Sequence, residues 1–104
     1  MARFPFNDLH SFKDYVGFVK MCSSTKFPLR EGLGPDEQWS LDLAFEGLRY
    51  GLKLAIEEKG ERPVFTECQE LVEKAYNQYR EGQRREGFFT LEQVQKLLRK
   101  VPSQ

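Results

Sequence analysis

The stretch DEQWSLDLAFEGLRYGLKLAIEE, residues 36–58, decides the fold. Leu41, Phe45, Leu48, Leu52 and Ala55 recur at steps of four, three, four and three, with Ala44 and Ile56 beside them. That is the period of one helix face, and strict alternation fails over the same window. At about 100° per residue, Asp42, Glu46, Arg49, Lys53 and Glu57 collect on one narrow polar strip. A second apolar group, Leu43, Tyr50 and Leu54, falls opposite the first. The spacing predicts one long helix, buried on most of its circumference, serving as the hub for its neighbours. Gly47 and Gly51 lie between the two apolar groups. Each costs on the order of 1 kcal/mol against Ala in a helix interior, so they predict a channel where another backbone approaches closely. The four charges Asp42, Glu46, Arg49 and Lys53 exclude the membrane version of that glycine spacing.

The segments on either side repeat the helical period. Upstream, Leu9, Phe12, Val16 and Val19 predict a helix over about 8–22, capped by Asn7 or Asp8, with His10, Lys13, Asp14 and Lys20 outward. Between these helices, residues 23–35 form a long loop, because Pro28, Gly32, Gly34 and Pro35 all resist helix. Downstream, Gly60 ends the long helix at about 59, and Pro63 opens the next. Val64, Phe65, Cys68, Leu71, Val72, Ala75, Tyr76 and Tyr79 predict a third helix over about 64–81, closed by Gly82. Gln83 to Gly87 reads as a charged connector. Thr90, with Gln93 three residues on and Phe89 facing Val94, reads as the cap and staple of a fourth helix over about 91–101. Residues 1–104 are therefore expected to form a single all-α, four-helix domain packed around its long second helix.

Composition bounds the function. A chain of 104 residues has room for one modest core, and 31% charged residues suit a folded, soluble protein. The 16 basic and 16 acidic side chains cancel, which lowers the expectation of a nucleic-acid binder. No apolar run of about 18 residues spans a membrane, and no signal peptide is legible at the start. Two cysteines make no disulfide scaffold, so a reduced, cytoplasmic setting is expected. If the first three helices run up, down and up, Cys22 and Cys68 fall at opposite ends of the domain.

No catalytic constellation emerges. His10, the single histidine, falls on an outer helix face with nothing to orient it. No pair of His or Cys has zinc-ligand spacing. Asp42 and Glu46 lack the Glu-x-x-His of a two-metal bundle, and Arg49 and Lys53 on the same strip point to surface ion pairs. Gly32-Leu33-Gly34 follows no strand, so it makes no phosphate cradle. No catalytic, cofactor-binding or metal site is assigned, and no cofactor is expected.

What remains are contact surfaces. Phe18, Met21, Phe27, Leu29 and Leu33 form a candidate partner surface on the first helix and the long loop, suited to a protein partner or to self-association. Charge is uneven: residues 31–70 hold ten acids and four bases, and residues 80–104 hold six bases and three acids. Arg84, Arg85, Lys96, Arg99 and Lys100 are a candidate basic patch at one end of the molecule. A helix-turn-helix is disfavoured, because about nine residues separate the third and fourth helices where that motif needs three or four. The first expectation is a small non-catalytic binding or regulatory protein acting through protein contact. The alternatives are a nucleic-acid-binding accessory protein using the basic patch, and a small helical enzyme or ligand carrier with a pocket near Tyr50, Tyr76 or Tyr79.

Overall fold

The computed structural model of the chain describes Phe6, residues 8–23, Gly32 and residues 40–101. Four helices, α1 (Leu9–Ser23), α2 (Leu41–Lys59), α3 (Pro63–Arg80) and α4 (Arg84–Arg99), account for almost all of them, with no strand among the described residues. The fold is all-α, as the sequence periods require.

Each helix start has a local cause. Asp8 caps α1: its Oδ1 accepts from the Ser11 backbone N–H at 2.8 Å, while the Asp8 N–H donates back to Ser11 Oγ at 3.3 Å. These bonds from Ser11 hold the Asp8 carboxyl below its ordinary range, the backbone bond acting most strongly. Ser40 caps α2 by accepting from the Leu43 N–H at 3.1 Å. The second helix therefore starts at Leu41 and not at the expected Asp36, because Ser40 is extended and its hydroxyl takes an amide that the helix leaves free. Pro63 occupies the first position of α3, where its missing N–H costs nothing. Gly60 (φ 85°) and Gly82 (φ 83°) close α2 and α3 in a conformation that other residues rarely adopt.

The expected start of α4 is corrected. The helix begins at Arg84, so the link from α3 is only residues 81–83. Thr90 does not cap it. The residue is buried in mid-helix, with its Oγ1 2.9 Å from the Glu86 carbonyl and 2.6 Å from Gln78 Oε1 across the hairpin. The hydroxyl has one proton for these two acceptors, so it donates to one of them at a time or is shared between them. Gly82 and Gly87 look alike as chain breakers, but only Gly82 turns the chain. Gly87 stays helical and buried, and a Cβ there would lie 2.7 Å from the Tyr79 ring.

Side-chain contacts fix the topology. Leu9 meets Glu58, Phe12 meets Gly51, and Tyr15 Oη donates to the Ala44 carbonyl at 2.9 Å, so α1 runs antiparallel to α2. Arg49 meets Glu73 and Phe45 meets Tyr79, so α2 runs antiparallel to α3. Lys13 meets Val101 and Lys20 meets Gln95, so α1 is also antiparallel to α4. The result is a closed up-down-up-down ring in which α3 and α4 share the largest interface. The structure does not give α2 the hub role. It packs on α1 and α3, and α4 closes the ring between those two. Leu43, Ala44, Phe45, Leu48, Leu52 and Ala55 are buried, but of the expected second apolar group only Leu43 is; Leu54 is partly buried and Tyr50 is 44% exposed.

The core joins Phe12, Val16 and Val19 of α1, Phe45 and Leu48 of α2, Phe65 and Val72 of α3, and Leu91, Val94 and Leu98 of α4. The channel at Gly51 is real, but its occupant is a ring and not a backbone. A Cβ on Gly51 would lie 2.1 Å from Phe12 Cδ1.

Candidate functional site

The antiparallel pairing of α1 and α4 sets the last turn of α1 beside the first half of α4. Lysines read as outward-facing make this register. Lys13 Nζ donates to the Val101 carbonyl at 2.6 Å, and Lys20 Nζ donates to Gln95 Oε1 at 2.7 Å. Gly17 leaves room for Gln95, whose Nε2 lies 3.2 Å from the position of an added Cβ. Lys20 Nζ also sits 5.1 Å from the centroid of Phe88. Phe88 meets Phe89 edge-on, at 5.8 Å and 84°, and the Arg85 guanidinium lies 5.9 Å from the Phe89 ring. A ladder of cation, ring, ring and cation thus crosses from α1 onto α4.

Two large apolar side chains at this surface stand out in solvent: Met21 is 62% exposed and Phe89 47%. Phe18 is half-buried, with its ring 5.9 Å from Tyr15. An exposed aromatic with cations at its rim is an anchor suited to a partner that offers an apolar side chain among acidic ones. Of the sequence-predicted partner residues, Phe18 and Met21 lie on this part of α1, whereas Phe27, Leu29 and Leu33 lie outside the described residues, as does most of the 23–35 loop. Phe88 and Phe89 were missed as contact residues, because Phe89 reads equally well as the staple against Val94.

The basic residues are all exposed, but they do not share one end. Arg84 and Arg85 open α4, Lys96 and Arg99 lie in its last turn, and Lys100 caps it. At 1.5 Å per residue they extend over about 24 Å. The expectation of a single basic end is corrected, because its Arg84 and Arg85 belong to the helix and not to a connector. The argument against a helix-turn-helix from spacing also falls, since three residues join α3 to α4. Those helices nonetheless lie side by side as an antiparallel hairpin, with Thr90 against Gln78 and Gly87 against Tyr79.

A second polar cluster joins α2 to α3. Arg49 forks onto Glu73, with Nε–Oε2 at 2.6 Å and Nη2–Oε1 at 2.8 Å. This bond holds the Glu73 carboxyl below its usual range and raises Arg49. Arg49 thus pairs across helices and not along its own, because a bidentate fork outcompetes the i,i+4 geometry on α2. Tyr76 lies under Arg49 and Arg80, 5.1 and 5.5 Å from its ring, and its hydroxyl donates to Asp42, which raises the phenol's pKa. Beside this cluster an open cleft of about 310 Å³ is lined by Arg49, Leu52, Gln69, Val72 and Glu73, and none of Tyr50, Tyr76 or Tyr79 lines it.

His10 is exposed at the start of α1. Cys22 and Cys68 are both free. Because α1 and α3 run the same way, these thiols lie at opposite ends of the ring. Burial pushes Cys22 up and drives Cys68 to about 12, so Cys68 is an inert core residue. Among the described residues no group of three or more His, Cys, Asp or Glu is placed to hold a metal ion, and no helix is long and apolar enough to cross a membrane. Comparison with protein-family models, curated proteins and solved structures returns no match.

Proposed function

We propose that the chain is a small, non-catalytic, cytoplasmic binding or regulatory protein that acts by docking a protein partner on the α1–α4 surface around Met21, Phe88 and Phe89. The observation that carries this reading is the Lys20–Phe88–Phe89–Arg85 ladder, in which Phe89 is exposed, together with exposed Met21 next to Lys20 in the chain. Exposed aromatics with a cationic rim match the anatomy of interface hot spots. The test is affinity capture from the source cells with the wild type and with a Met21→Asp, Phe89→Asp variant. The variant should keep its helical circular dichroism and lose the captured partner. Identical captures from both proteins, or none from the wild type, would reject the reading.

A second reading, nucleic-acid binding, draws support from the same ladder, since rings interleaved with cations also stack on unpaired bases. It predicts salt-sensitive retention of DNA or RNA that disappears when Arg84, Arg85, Arg99 and Lys100 are changed together to Ala. Failure of the unmutated chain to bind either polymer at low salt disposes of it.

A further inference from the structure

The outer face shared by α3 and α4 carries a different pattern. Gln78 of α3 touches Thr90 of α4, so seven residues further along each antiparallel helix Leu71 comes level with Leu97. Both leucines are only partly buried, packed against the rim of the core. At about 100° per residue they line the two sides of the α3–α4 seam, facing one another. Glu67 and Glu70 flank the seam on α3, and Lys96 and Lys100 flank it on α4. All four are exposed, and none makes an ion pair within 4 Å among the described residues. An apolar centre thus has a margin led by Glu67 and Glu70 on one side, with exposed Lys74 one turn further toward Gln78, and a basic margin on the other.

We infer that this face docks a second copy of the same chain, about a two-fold axis parallel to the two helices. That rotation lays the acidic margin of one copy on the basic margin of the other, twice over, and stacks the Leu71–Leu97 seams at the axis. It also sets α3 of one copy antiparallel to α4 of the next, which opposes their dipoles favourably. The contact is isologous and therefore closes as a dimer. Two helices about 25 Å long and about 10 Å wide bury on the order of 500 Å² per copy, at the low end for specific interfaces, so the dimer is weak and salt-sensitive. The inference does not rest on the α1–α4 docking surface, which uses other residues.

Sedimentation velocity of the full chain at about 0.02 M and about 0.5 M salt tests it, since screening of exposed charges differs several-fold between them. The wild type should form a dimer at low salt that dissociates at high salt. Glu67→Lys, Glu70→Lys should be monomeric, and so should Lys96→Glu, Lys100→Glu. An equimolar mixture of the two variants should restore the dimer, because each now complements the other on both margins. A wild type that is monomeric at low salt would overturn the inference, and so would a dimer indifferent to the reversals or a mixture that stays monomeric. Circular dichroism checks that the variants, altered only at exposed sites, remain folded.

Discussion

A ring lying on a glycine is the residue-scale device of this fold, and it is used twice, by Phe12 on Gly51 and by Tyr79 on Gly87. Two glycines four apart on α2 announced a channel in the sequence, but nothing local names its occupant. Phe12 lies 39 positions upstream, and only the tertiary register brings it there. Gly51→Ala forces a Cβ into that ring and should cost about 1–3 kcal/mol in urea denaturation. In a Phe12→Ala background the same change should cost clearly less, since the two effects share one contact. Equal costs in the two backgrounds would show that the ring is not the reason for the glycine. Asp8 makes a second residue-scale prediction. Its folded carboxyl titrates below the ordinary value of 3.8, so its contribution is present above that value and is lost as pH falls through the folded one. The denaturation midpoints of the wild type and Asp8→Ala should therefore differ near neutrality and converge in acid below about 3.8. A constant gap across that range would contradict the capping role.

At the scale of elements, α1, α2 and α3 were legible because each carries a sustained apolar period, bounded by the Asp8 cap of α1, by Gly60 after α2, and by Pro63 and Gly82 around α3. The fourth was half-legible. Within the expected span 91–101, Leu91, Val94, Leu98 and Val101 are buried and Leu97 is partly so. The start was lost because Gly82 and Gly87 offer the same local signal and Thr90 has the chemistry of a cap. What decides between them is the partner helix: Tyr79 covers Gly87 and Gln78 meets Thr90, and neither contact is visible within α4. Amide exchange separates the two starts. With α4 beginning at Arg84, the amides of Phe88, Phe89 and Thr90 are inside the helical ladder and should exchange as slowly as those of Val94. A helix capped at Thr90 would leave them fast. Lys13 and Lys20 show a related blind spot: their long stems reach the Val101 carbonyl just past α4 and the Gln95 amide on it, so a polar position on the helix wheel need not face open water.

At the scale of the molecule, the four-helix class follows from four amphipathic segments, but the order of neighbours does not. A ring with α2 between α1 and α3 and a hub with α2 at the centre use the same periods. The contact surface divides in the same way. Phe18 and Met21 were legible as residues off the stripe of α1. Their association with Phe88 and Phe89 depends on α1 running against α4, and helix direction leaves no mark on periodicity. The functional proposal therefore stands on that direction. Spin labels measure it in a Cys22→Ser background, where buried Cys68 stays unlabelled in the folded protein. One pair joins His10→Cys to Lys100→Cys, and the other joins His10→Cys to Arg85→Cys. The fold predicts that the first pair is close and the second longer by about 20 Å, the length of fifteen helical residues. Equal distances, or the reverse order, would contradict the antiparallel pairing of α1 with α4 and with it the docking surface.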